Sequence, residues 1–191
     1  MSKELPILFN TQMVRAILNR EKTSTRRIIK SINTDIETLK KACQYQPGDI
    51  LYVRETWEHF ECWNCEGDER GNCPKEPQKN VLDKICGCYM YRATDEIRGD
   101  AKWHPSIHMP KKAARIWLKV TNVNVEHLQD ITAEDALREG AGKYIHLNGE
   151  LDKNAVITSF IGIWDNTVDK SDIHIYGWNA NPLVYVIEFE V

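Results

Sequence analysis

The sequence predicts an α+β chain, a small mixed β-barrel with flanking helices, and three observations carry that prediction. Short apolar alternating runs of unequal length stand between single helical patterns at irregular intervals, which is not the regular βαβα rhythm of a doubly wound sheet. A length of 191 residues, 42% of them hydrophobic and 28% charged, suits one domain over 1–191 better than two independent cores. Five of the six cysteines crowd into Cys62–Cys88, within a polar, turn-forming stretch that reads as an insertion of about 59–88 between two strands.

The elements follow in order. Asn10 or Thr11 is placed to cap a helix whose Val14, Ile17 and Leu18 recur at helical spacing, and that helix should fade near Asn19. Lys22 to Arg27 then forms its exit, with Lys22, Arg26, Arg27 and Lys30 as a basic cluster. A second short helix fits Thr34 to Cys43. Pro47-Gly48-Asp49 is a turn that feeds the apolar strand Ile50–Val53.

After the insertion the chain returns to strand at Tyr89–Ala93 and enters Trp103-His104-Pro105-Ser106-Ile107-His108-Met109-Pro110, a Pro-bounded loop excluded from helix and from a central strand. Ala114 to Glu126 alternates with period two. Thr132-Ala133-Glu134-Asp135 is a capping-box pattern that opens a helix Gly140 can end, with Glu139 in the last turn. An acid there opposes the helix dipole at a cost of about 0.3–1 kcal/mol, so Glu139 requires a compensating partner or a task. Ile157, Phe160, Ile161 and Trp164 mark a buried helical face, and Leu183 to Phe189 is a strand largely apolar on both faces until its end.

Cys62-x-x-Cys65, Cys73, Cys86 and Cys88 point to metal before disulfide. In a reducing compartment most disulfides open, whereas a tetrahedral zinc ion still holds four thiolates at about 2.3 Å. The expectation is a structural Zn2+ held by four of these five, with Cys86 or Cys88 surplus; free thiols or opportunistic bridges are the alternative. Cys43 reads as a core thiol. No stretch has the roughly 18 apolar residues of a membrane span, and Met1-Ser2-Lys3-Glu4 has no signal-peptide character, so a cytoplasmic protein with no membrane partner is expected. The net charge of −3 gives no general field for nucleic acid, and binding of that kind needs a local basic patch.

At Lys22-Thr23-Ser24-Thr25-Arg26-Arg27 the chain resembles the ASCH domain family, a branch of the PUA-like barrels with the signature Gly-x-Lys-x-x-Thr-x-Arg. Lys22, Thr25 and Arg27 match, and Arg20 stands at the Gly position. Pro47-Gly48-Asp49, Leu128-Gln129-Asp130-Ile131-Thr132 and Tyr185-Val186-Ile187-Glu188-Phe189 look like further family landmarks, so the resemblance covers nearly the full chain outside the insertion. Arg54-Glu55-Thr56-Trp57 together with Ser106-Ile107-His108-Met109-Pro110 resembles bacteriophage and prophage members.

The resemblance implies a PUA-like barrel with a cleft for a nucleobase, a modified nucleoside or short RNA. It implies, alternatively, a hydrolase: an amidohydrolase on N4-acetylcytidine-like substrates through Lys22, Thr25 and Glu139, or more distantly a ribonuclease. Arg27 would hold an oxyanion or a phosphate. Arg54, Trp57, Trp103, Ser106 and His108 are the further ligand-binding candidates, with a tryptophan offering a stacking surface. Trp117 and Trp164 read as core. The open alternatives are a solvated basic helix end at Lys22 to Arg27, a surface pair of Glu139 with Arg138 or Lys143, and an internal Arg54–Glu55 ion pair.

Overall fold

A computed structural model describes residues 2–30, 35–61, 87–95, 102–142, 146–147 and 150–191. Its strands are β1 (Glu4–Leu8), β2 (Ser24–Ile28), β3 (Ile50–Arg54), β4 (Trp57–Glu61), β5 (Gly87–Tyr91), β6 (Trp117–His127), β7 (His146–Leu147), β8 (Glu150–Leu151) and β9 (Leu183–Glu190). Its helices are α1 (Thr11–Leu18), α2 (Ile36–Ala42), α3 (Ala133–Arg138), α4 (Lys153–Asp165) and α5 (Ile173–Tyr176). The α+β class holds.

The centre is an open five-stranded sheet in the order β1-β3-β6-β9-β2. β1 runs parallel to β3, and the other neighbours are antiparallel. A barrel would pair the two edge strands; the pairings found leave β1 and β2 as edges, although Arg27 Nη2 of β2 donates to the Leu8 carbonyl at the end of β1 at 2.7 Å.

β1 was not expected, and Pro6 explains both its presence here and the weakness of its signal. Proline lacks a ladder donor and is tolerated on an edge strand; β1 is an edge, with Pro6 opposite Tyr52. β2 replaces the expected helix exit. Ser24-Thr25-Arg26-Arg27-Ile28 lies antiparallel to β9, with Thr25 opposite Ile187 and Arg27 opposite Tyr185. Charged side chains on an edge strand discourage pairing with another chain, which is consistent with two arginines in this one.

The helix ends obey their local signals. Asn10 accepts from Met13 N at the start of α1, and Asp35 accepts from Thr38 N at α2. The expected capping box forms at α3, between Thr132 and Asp135. Alternation in β6 sends Leu118, Val120, Val123 and Val125 inward. It also sends Trp117 outward beside Tyr52, where it is 39% exposed, so Trp117 is not the core residue expected of it. β6 starts three residues later than the pattern predicts, because Lys111–Ala113 forms a 3-10 turn whose Lys111 carbonyl accepts from Ala114 N.

Two apolar clusters lie on opposite faces of the sheet. Ile7, Phe9, Val14, Ile17, Leu51 and Leu118 belong to the first, which buries Cys43 as expected. Val156, Phe160 and Trp164 of α4 pack with Ala136 of α3 and Val184 and Val186 of β9 in the second. Fully burying one such side chain contributes about 1.5–3 kcal/mol. β4 and β5 pair with each other from Trp57↔Tyr91 to Glu61↔Gly87. β5 therefore ends at Tyr91, short of the expected Ala93. Cys62, Cys65, Cys73 and Cys86 lie outside the described residues, as does the side chain of Cys88.

Candidate functional site

β2 is an edge, so residues from both faces of the sheet reach its open side. Lys22 enters the strand through an isolated bridge to Glu139, and its side chain is wholly buried. Its Nζ donates to Glu139 Oε2 at 2.6 Å and to the Glu139 carbonyl at 3.0 Å. Arg26, also buried, donates from Nη1 to Glu139 Oε1 at 3.1 Å and from Nε and Nη2 to Glu126 Oε1 at 3.0 and 2.5 Å. These contacts resolve the anomaly of an acid at the end of α3. Glu139 is the anion of a buried pair of cations rather than the surface partner of Arg138, and Lys143 lies outside the described residues. The solvated-end reading of Lys22 and Arg26 is likewise corrected by their burial.

Burial pushes the Lys22 amine below its ordinary value, while the Glu139 carboxylate pulls it back up, and the nearby Arg27 and Arg26 charges add to the lowering. Burial lowers the Arg27 guanidinium as well. Gly140 makes the junction possible. Its φ is +86°, and a Cβ there would stand 2.9 Å from Ala16 Cβ and 3.7 Å from Lys22 Cβ. The end of α3 can touch the end of α1 only across a residue without a side chain.

A cavity of about 310 Å³ opens beside this cluster. Thr25, Arg26, Arg27 and Glu139 form its polar side. Phe9 and Met13 wall it from the α1 side, Phe160 and Trp164 from α4, and Thr56, Pro105 and Ser106 border it from the loops. The aromatic walls double as supports for the cations: Lys22 Nζ and Arg27 Cζ lie 5.7 and 5.3 Å from the Phe9 centroid, and Arg26 Cζ lies 5.9 Å from that of Phe160. Among the described residues nothing hydrogen-bonds the Thr25 hydroxyl.

Of the expected site residues, Lys22, Thr25 and Glu139 thus come together, with Lys22 beneath Glu139 rather than on the cavity wall. Arg27 and Ser106 line the cavity. Arg54, Trp57, Trp103 and His108 do not. Arg54 Nε donates to the Met109 carbonyl at 2.7 Å and so ties β3 to the Pro-bounded loop. It does not pair with Glu55, which is held by Arg115 at 2.9 and 3.0 Å; burial raises the Glu55 carboxyl, and Arg115 opposes that rise. Trp57 packs on Tyr89 and His104, at 5.8 and 5.4 Å between centroids. Trp103 is half-buried, and His108 is exposed.

The aromatics that wall the cavity are therefore Phe9, Phe160 and Trp164, not Trp57 and Trp103. Trp164 and Phe160 were legible as a buried face, yet nothing local says that this face borders a cavity. Glu126 and the pairing role of Arg26 had no signal beyond strand alternation. No family model matches the chain, and neither the curated proteins nor the solved structures compared with it include a match. Among the described residues no helix is long and apolar enough to cross a membrane.

Proposed function

We propose that this chain is an ASCH-type protein of PUA-like descent that binds a nucleobase or a modified nucleoside beside Lys22, Thr25 and Arg27. One observation carries the reading: a cavity of about 310 Å³ has aromatic walls on two sides and a threonine, two arginines and a carboxylate on a third. That volume sits at the lower end of the roughly 300–1,000 Å³ of small-molecule sites. Flat heteroaromatic rings suit such walls, and the polar side offers both donors and an acceptor to base edges. Titration calorimetry with cytidine and N4-acetylcytidine is the test. Arg27→Ala and Thr25→Val should each weaken binding by about tenfold or more with an unchanged far-UV circular dichroism spectrum, and unchanged affinity in both variants removes the reading.

A second reading is favoured by the 2.6 Å Lys22–Glu139 contact next to an unengaged Thr25 hydroxyl. In it the protein hydrolyses an N4-acyl cytidine. Thr25 Oγ attacks the acyl carbon and yields its proton to a neutral Lys22 amine, the released cytosine amine takes a proton from the Lys22–Glu139 pair, and water frees the acid from the acyl-threonine. Burial favours the neutral form of the Lys22 amine, and the Glu139 carboxylate opposes it. Incubation with N4-acetylcytidine should release cytidine; a rate no greater than that of Lys22→Met discards this version.

The zinc reading of Cys62, Cys65, Cys73, Cys86 and Cys88 stands on their spacing alone. Protein purified without added zinc should carry about one equivalent, and less than about half would remove it.

A further inference from the structure

We infer that Arg26 is a positioning residue that holds the Glu139 carboxylate against Lys22, and that Glu126 sets how much of the Arg26 charge reaches that carboxylate. This rests on the hydrolase reading and adds to it the groups that ready its base. Arg26 is not one of the matched positions of the Lys-x-x-Thr-x-Arg run, and Glu126 lies 100 positions beyond it on β6. Glu139 divides its two oxygens between two buried cations. Oε2 accepts from Lys22 Nζ at 2.6 Å and Oε1 from Arg26 Nη1 at 3.1 Å, so the second bond fixes the rotation of the carboxylate and keeps Oε2 on the amine.

The guanidinium is locked in its turn. Nε and Nη2 both donate to Glu126 Oε1, at 3.0 and 2.5 Å, and Cζ lies 5.9 Å from the Phe160 centroid. Asp135 of α3 stands farther off, with Oδ2 at 4.0 Å from Nη2 and engaged by the Thr132 hydroxyl at 2.8 Å. The Arg26 side chain is 1% exposed and that of Glu126 22%, so the series Lys22, Glu139, Arg26, Glu126 leads from the buried amine to the surface. A carboxylate serving Lys22 alone would hold the proton firmly on the amine. A second cation on the same carboxylate weakens that hold, and the Arg26 and Arg27 charges both oppose the charged amine. Arg26 thus favours the neutral Lys22 that accepts the Thr25 proton, and Glu126 limits the effect by answering part of the Arg26 charge.

The pH dependence of kcat/KM for N4-acetylcytidine tests this, because its ascending limb reports the base of the free enzyme. Arg26→Gln should move that limb to higher pH by about one unit or more, which lowers the rate at a fixed pH on the limb by about tenfold or more. Glu126→Gln keeps an acceptor oxygen and removes the charge, and it should move the limb to lower pH. Displacements of opposite sign are not what a loss of packing produces. Glu126→Gln decides the matter by itself should Arg26→Gln fail to fold. A limb that stays in place in Glu126→Gln, or that moves the same way in both variants, overturns the inference and leaves the hydrolase reading standing. No release of cytidine by the wild-type protein overturns both.

Discussion

Arg20 has φ +60°, in the left-handed region, at the turn that carries α1 into the Lys22 bridge. This is the position at which the chain departs from the Gly of the ASCH signature. A left-handed conformation costs a side-chain-bearing residue about 1–2 kcal/mol, part of which glycine returns as entropy in the unfolded chain. Arg20→Gly should therefore raise stability by about 0.5–1 kcal/mol, read as a higher urea midpoint at unchanged m. A lower midpoint would show that the arginine side chain makes up for its backbone. Lys22 presents the opposite case, a residue whose cost lies in its charge. Its folded value is lowered, so between that value and the ordinary 10.5 the unfolded chain binds more protons than the folded one, and this group's contribution to stability rises with pH across that window. The pH profile of Lys22→Met should lack the rise, and the difference between the two profiles isolates it from Tyr45 and Cys43, whose raised values act in the opposite direction. Parallel profiles would contradict a desolvated Lys22.

At the scale of elements, the junction of α3 with α1 depends on Gly140. Alanine there meets both a left-handed φ of +86° and Ala16 Cβ at 2.9 Å. Gly140→Ala should cost about 1–3 kcal/mol in urea unfolding, and because the displaced residue next door is Glu139, ligand affinity should fall with it; retained stability would mean that the two helix ends part easily. Caps and alternation at this scale were legible beforehand. Asn10 and the Thr132–Asp135 box are local hydrogen-bond signals contained within four residues. β1 and β2 were not legible, because Pro6 and a run of two arginines are poor strand formers whose pairing is decided by β3 and β9, many residues away. Trp117 is instructive in another way. Its alternation with Ile116 and Leu118 already placed it opposite the core face, and hydrophobicity alone misdirected it inward.

For the whole molecule, a net charge of −3 supplies no attractive field for nucleic acid, and the cations near the cavity are largely neutralised by Glu126 and Glu139. Arg27 is the exception among the described residues. Binding of an oligonucleotide should then depend weakly on salt: a plot of log affinity against log salt should have a slope near −0.7, the value for about one phosphate contact on a single strand. A slope of about −3 or steeper would point to a basic groove elsewhere on the surface. The amino-acid sequence by itself determined the helix caps, the core-facing alternation of β6 and β9, and the Lys-x-x-Thr-x-Arg run, since each is written in hydrogen-bonding groups or periodicities a few residues long. Tertiary structure decided that Glu139 meets Lys22 across 117 positions, that β2 ends as an open edge, and that Phe9, Phe160 and Trp164 wall the space beside it. Those outcomes depend on strand order and on which faces two separate clusters bury, and such long-range choices leave no mark in any local stretch of chain.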